Sequence, residues 1–234
     1  MNTLQIEPIG IIHSCYTERF GIPRQPGMVK SAVAHLELFP AYNREEMLRS
    51  IQQFSHIWVH FQFHQTVGEG WRPTVRPPWL GGQKRVGVFA TRSPHRPNHL
   101  GMSAVRLEGV ILKKKKFLLE LSGIDFLDQT PVIDIKPYIP YSDSIATATC
   151  GYARGETPGI KVVFSGPAEE FCRHYQLETG RMLRLLIEEL LQQDPRPASQ
   201  KKGKSNFGMQ LWNVNIRWRF EEESFLVEGC TLVD

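Results

Sequence analysis

A chain of 234 residues, 41% hydrophobic and 22% charged, can bury one large core or two modest ones and is too apolar for wholesale disorder. No basic segment leads into a long apolar run, and no stretch of about 18 uncharged apolar residues occurs, so neither secretion nor membrane insertion is expected. The four cysteines, Cys15, Cys150, Cys172 and Cys230, lack CxxC spacing, which argues against a disulfide framework or zinc site and for reduced thiols in the cytoplasm; the net charge of +4 suits a polyanionic partner without requiring one.

Short runs with period-two alternation, broken by proline and glycine, dominate the first 140 residues and predict a mainly β domain. The candidate strands are Leu4–His13, His56–His64, Arg85–Thr91, Ala104–Leu112 and Phe117–Gly123. Over 43–54 the pattern changes: Met47, Ile51 and Phe54 recur at helical spacing, Asn43 and Glu46 offer a cap, and one helix laid on the sheet is expected. The turn-rich stretch Cys150–Gly159 reads as a linker, which divides the chain into a β domain over 1–150 and a smaller α+β region over 151–234. In the second part, a helical stretch around Ala168–Gln176 precedes an amphipathic stripe of Leu183, Leu186, Ile187, Leu190 and Leu191, which Asp194 and Pro195 stop. After the basic loop Lys201–Lys204, the alternation of Trp212, Val214, Ile216, Trp218 and Phe220 reads as a strand with Asn213, Asn215, Arg217 and Arg219 on its other face and Ser224–Leu232 as its partner.

Several segments carry groups suited to chemistry. His56, His60 and His64 recur every fourth residue, but on a strand such neighbours stand roughly 13 Å apart, too far to share an ion held by bonds of about 2 Å. His64 and Gln65, at the strand end, remain candidates for facing a ligand. In Ala90–Gly101, Pro94 and Pro97 stiffen a loop that carries Arg92 and Arg96, planar forks that match a carboxylate or phosphate; the alternative is a proline-rich surface turn. Trp71–Gly82 interleaves cations and rings, as a base-stacking surface does, or is a structural loop whose tryptophans plug the core. Lys113–Lys116 fits a solvated hairpin turn. If the segment after Asp125 is extended, Asp134, Lys136 and Tyr138 share one face, either as a reactive cluster or as a plain ion pair beside a tyrosine. No GxGxxG or GxxxxGK[ST] occurs, which disfavours a dinucleotide-type methyltransferase domain and a P-loop.

At these residues the sequence resembles the TsaA-like family, also called TrmO, whose members methylate N6 of threonylcarbamoyladenosine beside the tRNA anticodon. The words that carry the resemblance are Pro23-Arg-Gln-Pro-Gly27, Phe63-His-Gln65, Trp71-Arg-Pro, Gly87-Val-Phe-Ala-Thr-Arg-Ser93, Arg96-Pro-Asn98, Gly101-Met-Ser103 and Asp128-Gln-Thr-Pro-Val-Ile-Asp-Ile-Lys-Pro-Tyr138. It continues more loosely through Asp194-Pro-Arg-Pro197 and Val214-Asn-Ile-Arg-Trp218. His99 and Leu100 depart from the family pattern, which has Pro and Ile there, and loss of that proline is expected to loosen the loop.

The resemblance implies a β-barrel-like N-terminal domain, a homodimer and S-adenosylmethionine at the barrel loops. It implies that Gln25, Pro26, Gly27, His64, Gln65, Arg92, Met102, Asp128, Gln129, Thr130, Pro131 and Val132 line that cofactor, with Arg92 as a polar anchor. The acceptor nitrogen lies between a purine and a carbonyl, so a general base within about 3 Å of its hydrogen would help. Asp134 is the expected base, with Lys136 and Tyr138 positioning the modified base or a phosphate, and Lys201–Lys204 with Arg217 or Arg219 contacting tRNA. A non-catalytic tRNA-binding module is the rival reading; it predicts tRNA binding indifferent to S-adenosylmethionine and no methyl transfer.

Overall fold

The computed structural model describes residues 4–153, 158–196 and 206–233. In the first half, strands whose inward residues are aliphatic build one large sheet: β1 (Gly10–Ser14), β2 (Val33–Leu38), β3 (His56–Gln62), β6 (Leu100–Lys113), β7 (Lys116–Ser122) and β8 (Pro131–Pro137), with β4 (Thr74–Val75) and β5 (Val86–Gly87) forming a separate short pair. The six run in the order β1-β2-β7-β6-β3-β8, and the sheet closes on itself because β8 pairs with β3 on one side and, through Gly10↔Val132 and Ile11↔Pro131, with β1 on the other. Ile12, Leu36, Ile57, Val59, Val105, Leu119, Leu121 and Val132 fill its interior. At the β6–β7 turn, Lys114 and Lys115 both adopt positive φ, the primed-turn geometry that suits the twist of two-residue hairpins.

Residues 43–54 do not form the expected helix. They make two single 3-10 turns, Glu45–Leu48 and Ile51–Gln53, separated by Ser50 at φ 68°. Asn43 does not cap; its side chain donates to the Leu38 and Phe117 carbonyls and accepts from the Phe117 amide, which fastens the segment to β2 and β7 instead. Met47 is exposed and only Leu48 in the two turns is buried, so a helical stripe there would have no surface to cover. The first strand begins at Gly10 rather than Leu4, and of Arg85–Thr91 only Val86–Gly87 is extended before a 3-10 turn over Val88–Ala90.

Beyond β8 come one helical turn, α1 (Pro140–Asp143), and then β9 (Lys161–Phe164), α2 (Gly166–Thr179), α3 (Leu183–Gln192), β10 (Asn206–Leu211), β11 (Val214–Glu221) and β12 (Ser224–Leu232). The sheet order is β10-β11-β12-β9, with β9 parallel to β12, and the helices cover it. Ser165 accepts from the Ala168 amide at 3.3 Å and Gly180 closes α2 at φ 72°, a capped start and a left-handed stop. All five residues of the expected α3 stripe are buried. Trp212 belongs to the β10–β11 turn, at φ 50°, rather than to the strand.

The two halves share one continuous apolar core. Trp212 donates its amide to the Cys15 carbonyl at 2.9 Å, and the Ser31 amide and hydroxyl both donate to Glu189 of α3 at 2.8 Å. The segment between β1 and β2 is therefore clamped at both ends by the C-terminal half.

Candidate functional site

A cavity of 740 Å³ opens where the β1–β2 segment, the turn after β3 and the stiff loop before β6 meet. Its apolar wall is built on Phe61, which makes edge-on contacts with Phe63 and Phe126 at centroid distances of 5.0 Å each. Gly101 faces Phe61 across the β3–β6 ladder, and a Cβ there would stand 2.3 Å from the ring, so glycine is required for the ring to lie flat over the strand. Leu100 and Met102 extend this wall into the open; Met102 is 50% exposed.

The rim is polar and tied together. The Arg19 guanidinium donates to the Gln65 side chain at 3.0 Å, the Gln65 carbonyl at 2.8 Å and Glu69 at 2.7 Å, while the other Glu69 oxygen meets the His95 ring at 2.8 Å. His95 and Arg19 hold the Glu69 carboxyl down at about 2. This network joins the β1–β2 segment, the turn over His64–Glu69 and the stiff loop. Asn98 and His99 both take positive φ, which proline at 99 cannot adopt. The His99 ring nitrogen lies 3.1 Å from the Pro94 carbonyl, and the His99 carbonyl accepts from the Phe63 amide at 2.8 Å, so hydrogen bonds fasten the loop where the family pattern has a proline. Tyr152 donates to the Ala90 carbonyl at 2.6 Å at the other end of the same loop.

Arg19, Arg24, Arg92 and Arg96 line the cavity together with the carboxylate of Asp125. Arg92 donates to the Gln25 side chain. The Gly27 amide donates to the Gly123 carbonyl at 2.7 Å, which seats the Gln25 loop over the segment that carries Asp125. Burial pushes the Asp125 carboxyl up to about 6, against the opposing pulls of the Ser103 hydroxyl, its own backbone and Arg92. Its Oδ1 is shut off from water and has no hydrogen-bond partner among the described residues. Burial, reinforced by Arg19, also lowers the pKa of His64, so that ring stays neutral at neutral pH.

Of the expected cofactor set, Gln25, His64, Gln65, Arg92, Met102 and Thr130 line the cavity. Pro26, Gly27, Asp128, Gln129, Pro131 and Val132 do not stand among its lining residues, and several have evident backbone duties. The Asp128 side chain accepts from the Ser14 amide, Gln129 turns the chain at φ 61°, and Val132 is in the core. Asp134, Lys136 and Tyr138 lie on the outer face of β8, with Asp134 and Lys136 3.8 Å apart and Tyr138 packed on Trp58 at 5.4 Å. Asp134 stands opposite His60 of β3, and His60 both lines the cavity and faces Met102 on its other side, so the two clusters are one strand apart. The tryptophans of 71–82 do not plug the core: Trp71 is exposed, and Trp79 is half-buried beneath the Arg24 guanidinium at 5.2 Å. Arg219 is engaged by Glu221 and Glu228, Arg217 is exposed, and Lys201, Lys202 and Lys204 lie outside the described residues. The sequence reading missed Arg19, Glu69, His95, Ser103 and Asp125; of these, only His95 lies in the proline-stiffened stretch that drew attention.

A closed sheet carrying a preorganised, apolar-walled cavity lined by several arginines and a buried carboxylate is a small-ligand site on a sheet-rich scaffold. Comparison with known proteins specifies it further. Residues 11–144 match the tRNA-methyltransferase O N-terminal domain and 157–232 the TrmO C-terminal domain. The chain is 46% identical over 230 residues to the tRNA (adenine(37)-N6)-methyltransferase of Escherichia coli K12, covering 97% of each chain. It is 43% identical over 143 residues to the Homo sapiens protein of the same name, 60% of this chain and 31% of that one. The crystal structure of TrmO from Pseudomonas aeruginosa superposes with a TM-score of 0.83 at 38% identity, over 98% of this chain and 99% of that one. The chain belongs to the TrmO family.

Proposed function

We propose that this protein transfers a methyl group from S-adenosylmethionine to N6 of the threonylcarbamoyladenosine at position 37 of tRNA. The observation that carries the reading is the similarity at 46% identity across 97% of both chains to a protein named tRNA (adenine(37)-N6)-methyltransferase. The cavity fits the cofactor in kind: an aromatic and aliphatic wall, a fixed guanidinium and an orphaned buried carboxylate oxygen suit a ligand with apolar, anionic and cationic parts.

S-adenosylmethionine, when bound, supplies a methyl group already activated on a positively charged sulfur. Gln25, His64, Gln65, Arg92, Met102 and Thr130 would hold it, and Pro26, Gly27, Asp128, Gln129, Pro131 and Val132 would shape the backbone around them. Phe61, Phe63 and Leu100 would pack against the cofactor's apolar parts. Asp134 takes the N6 proton as general base, and Lys136 and Tyr138 position the modified base or a flanking phosphate. The protein's main contribution is alignment of donor and acceptor.

In this proposal residues 1–150 bind the cofactor and carry the catalytic groups, and 151–234 contribute tRNA contacts. The protein acts in the cytoplasm as a homodimer; among the described residues no helix is long and apolar enough to cross a membrane. The test is methyl transfer from labelled S-adenosylmethionine to tRNA with and without the threonylcarbamoyl group. Transfer to the modified tRNA alone is expected. No transfer to either, with tRNA bound equally well whether or not S-adenosylmethionine is present, would establish the non-catalytic module instead.

A further inference from the structure

Buried polar atoms in folded proteins nearly always have partners, so the bare Oδ1 of Asp125 requires an explanation. The ionised carboxylate accepts and cannot donate, so what it lacks is a donor, and in a site screened from water a charged donor gains most. Arg92 is near enough to draw on the Asp125 charge, yet its guanidinium is held by Gln25. The cavity thus keeps a cation and an anion within reach of each other without letting them neutralise. A single ligand carrying both signs on one carbon satisfies both.

We propose that Asp125 receives the α-ammonium group of the cofactor's amino-acid end while Arg92 receives its α-carboxylate, so that the two act as a paired anchor for a zwitterion. The inference rests on the methyltransferase reading and adds a contact to it. Asp125 is a poor candidate for a metal ligand, because no cluster of three or more His, Cys, Asp or Glu suited to an ion occurs among the described residues. An anionic group of the tRNA is disfavoured there by like charge.

The experiment is calorimetric titration of the full chain at pH 7.5 with S-adenosylhomocysteine and with its deamino analogue, in which hydrogen replaces the α-amino group. The wild type should prefer S-adenosylhomocysteine by about 10- to 100-fold, the loss expected for one charge-assisted hydrogen bond in a dry site. Asp125→Asn should abolish that preference while binding the analogue within about two-fold of wild type, which also certifies that the variant is folded. A wild type that does not discriminate between the ligands overturns the proposal whatever the variant does. So does a variant that weakens both ligands equally, since the carboxylate would then be reading the nucleoside. A wild type that binds neither ligand removes the underlying methyltransferase reading as well, an outcome distinct from either of these.

Discussion

Replacing Asp125 by Asn should make the ligand-free protein more stable, and the size of the gain follows from the site. The carboxyl titrates at about 6 in the folded protein against 3.8 for a free aspartate. A gap of roughly two pH units at about 1.4 kcal/mol each means that keeping this group ionised costs the fold about 3 kcal/mol. Because the folded state holds the proton more tightly than the unfolded state, this cost grows as pH rises from about 4 to about 6 and is fully present above that. Asparagine carries no charge to desolvate, but it loses the stronger hydrogen bond from Ser103, worth about 1 kcal/mol. The net gain at pH 7.5 is about 2 kcal/mol, or a melting temperature higher by about 4–8 °C for a chain of this length. At pH 5 the ionisation cost falls to about half, so the net gain shrinks to about a third of its value at pH 7.5. Thermal unfolding of both proteins at pH 5.0 and 7.5 measures this, and other titrating groups such as His64 cancel in the difference. A variant no more stable than wild type at pH 7.5, or a gain equal at both pH values, would refute the reasoning.

Asp134→Asn should lower kcat by about 100-fold or more, the scale of a lost general base, with affinity for S-adenosylhomocysteine unchanged; matching losses in both would assign Asp134 to binding. A chain ending at residue 150 should fail to unfold cooperatively, because it exposes the core that α3 and β10 cover and strands Ser31 and Cys15 without Glu189 and Trp212. A soluble 1–150 fragment with a sharp thermal transition and near-wild-type cofactor affinity would overturn that expectation.

What was legible in the sequence is what short-range patterns encode. β3 reads from its alternation because Ile57, Val59 and Phe61 all face the core, and α3 reads from its stripe because Leu183, Leu186, Ile187, Leu190 and Leu191 all face it too. Residues 43–54 misled because helical spacing states which residues would share a face, not whether a surface exists to receive it. The stiff loop was legible through its prolines, and with it Arg92. Asp125 was not. It sits between Ile124 and Phe126 like any turn residue, and its isolation arises only when the Gln25 loop, nearly a hundred positions earlier, closes over it through Gly27 and Gly123. The Arg19–Glu69–His95 network is hidden for the same reason, since its members come from three separate stretches that meet only in the fold.

Among the described residues no glycine-rich turn runs from the site into a helix, so its rigidity comes from elsewhere. Each wall is fixed by a bond from a distant segment: the Phe63 amide to the His99 carbonyl, Glu69 between Arg19 and His95, Gly27 to Gly123, and Tyr152 to Ala90. Among the described residues the lining runs from Arg19 to Thr130, and those of the C-terminal half supply none of it. It does hold the segment that carries Arg19 to Gln25, through Cys15 before it and Ser31 after it. A loop pinned at both ends loses less entropy when a ligand orders it, and that saving appears as affinity. By this argument the C-terminal half should raise cofactor affinity through clamps at Cys15, four residues before Arg19, and Ser31, six residues after Gln25, in addition to any grip on tRNA.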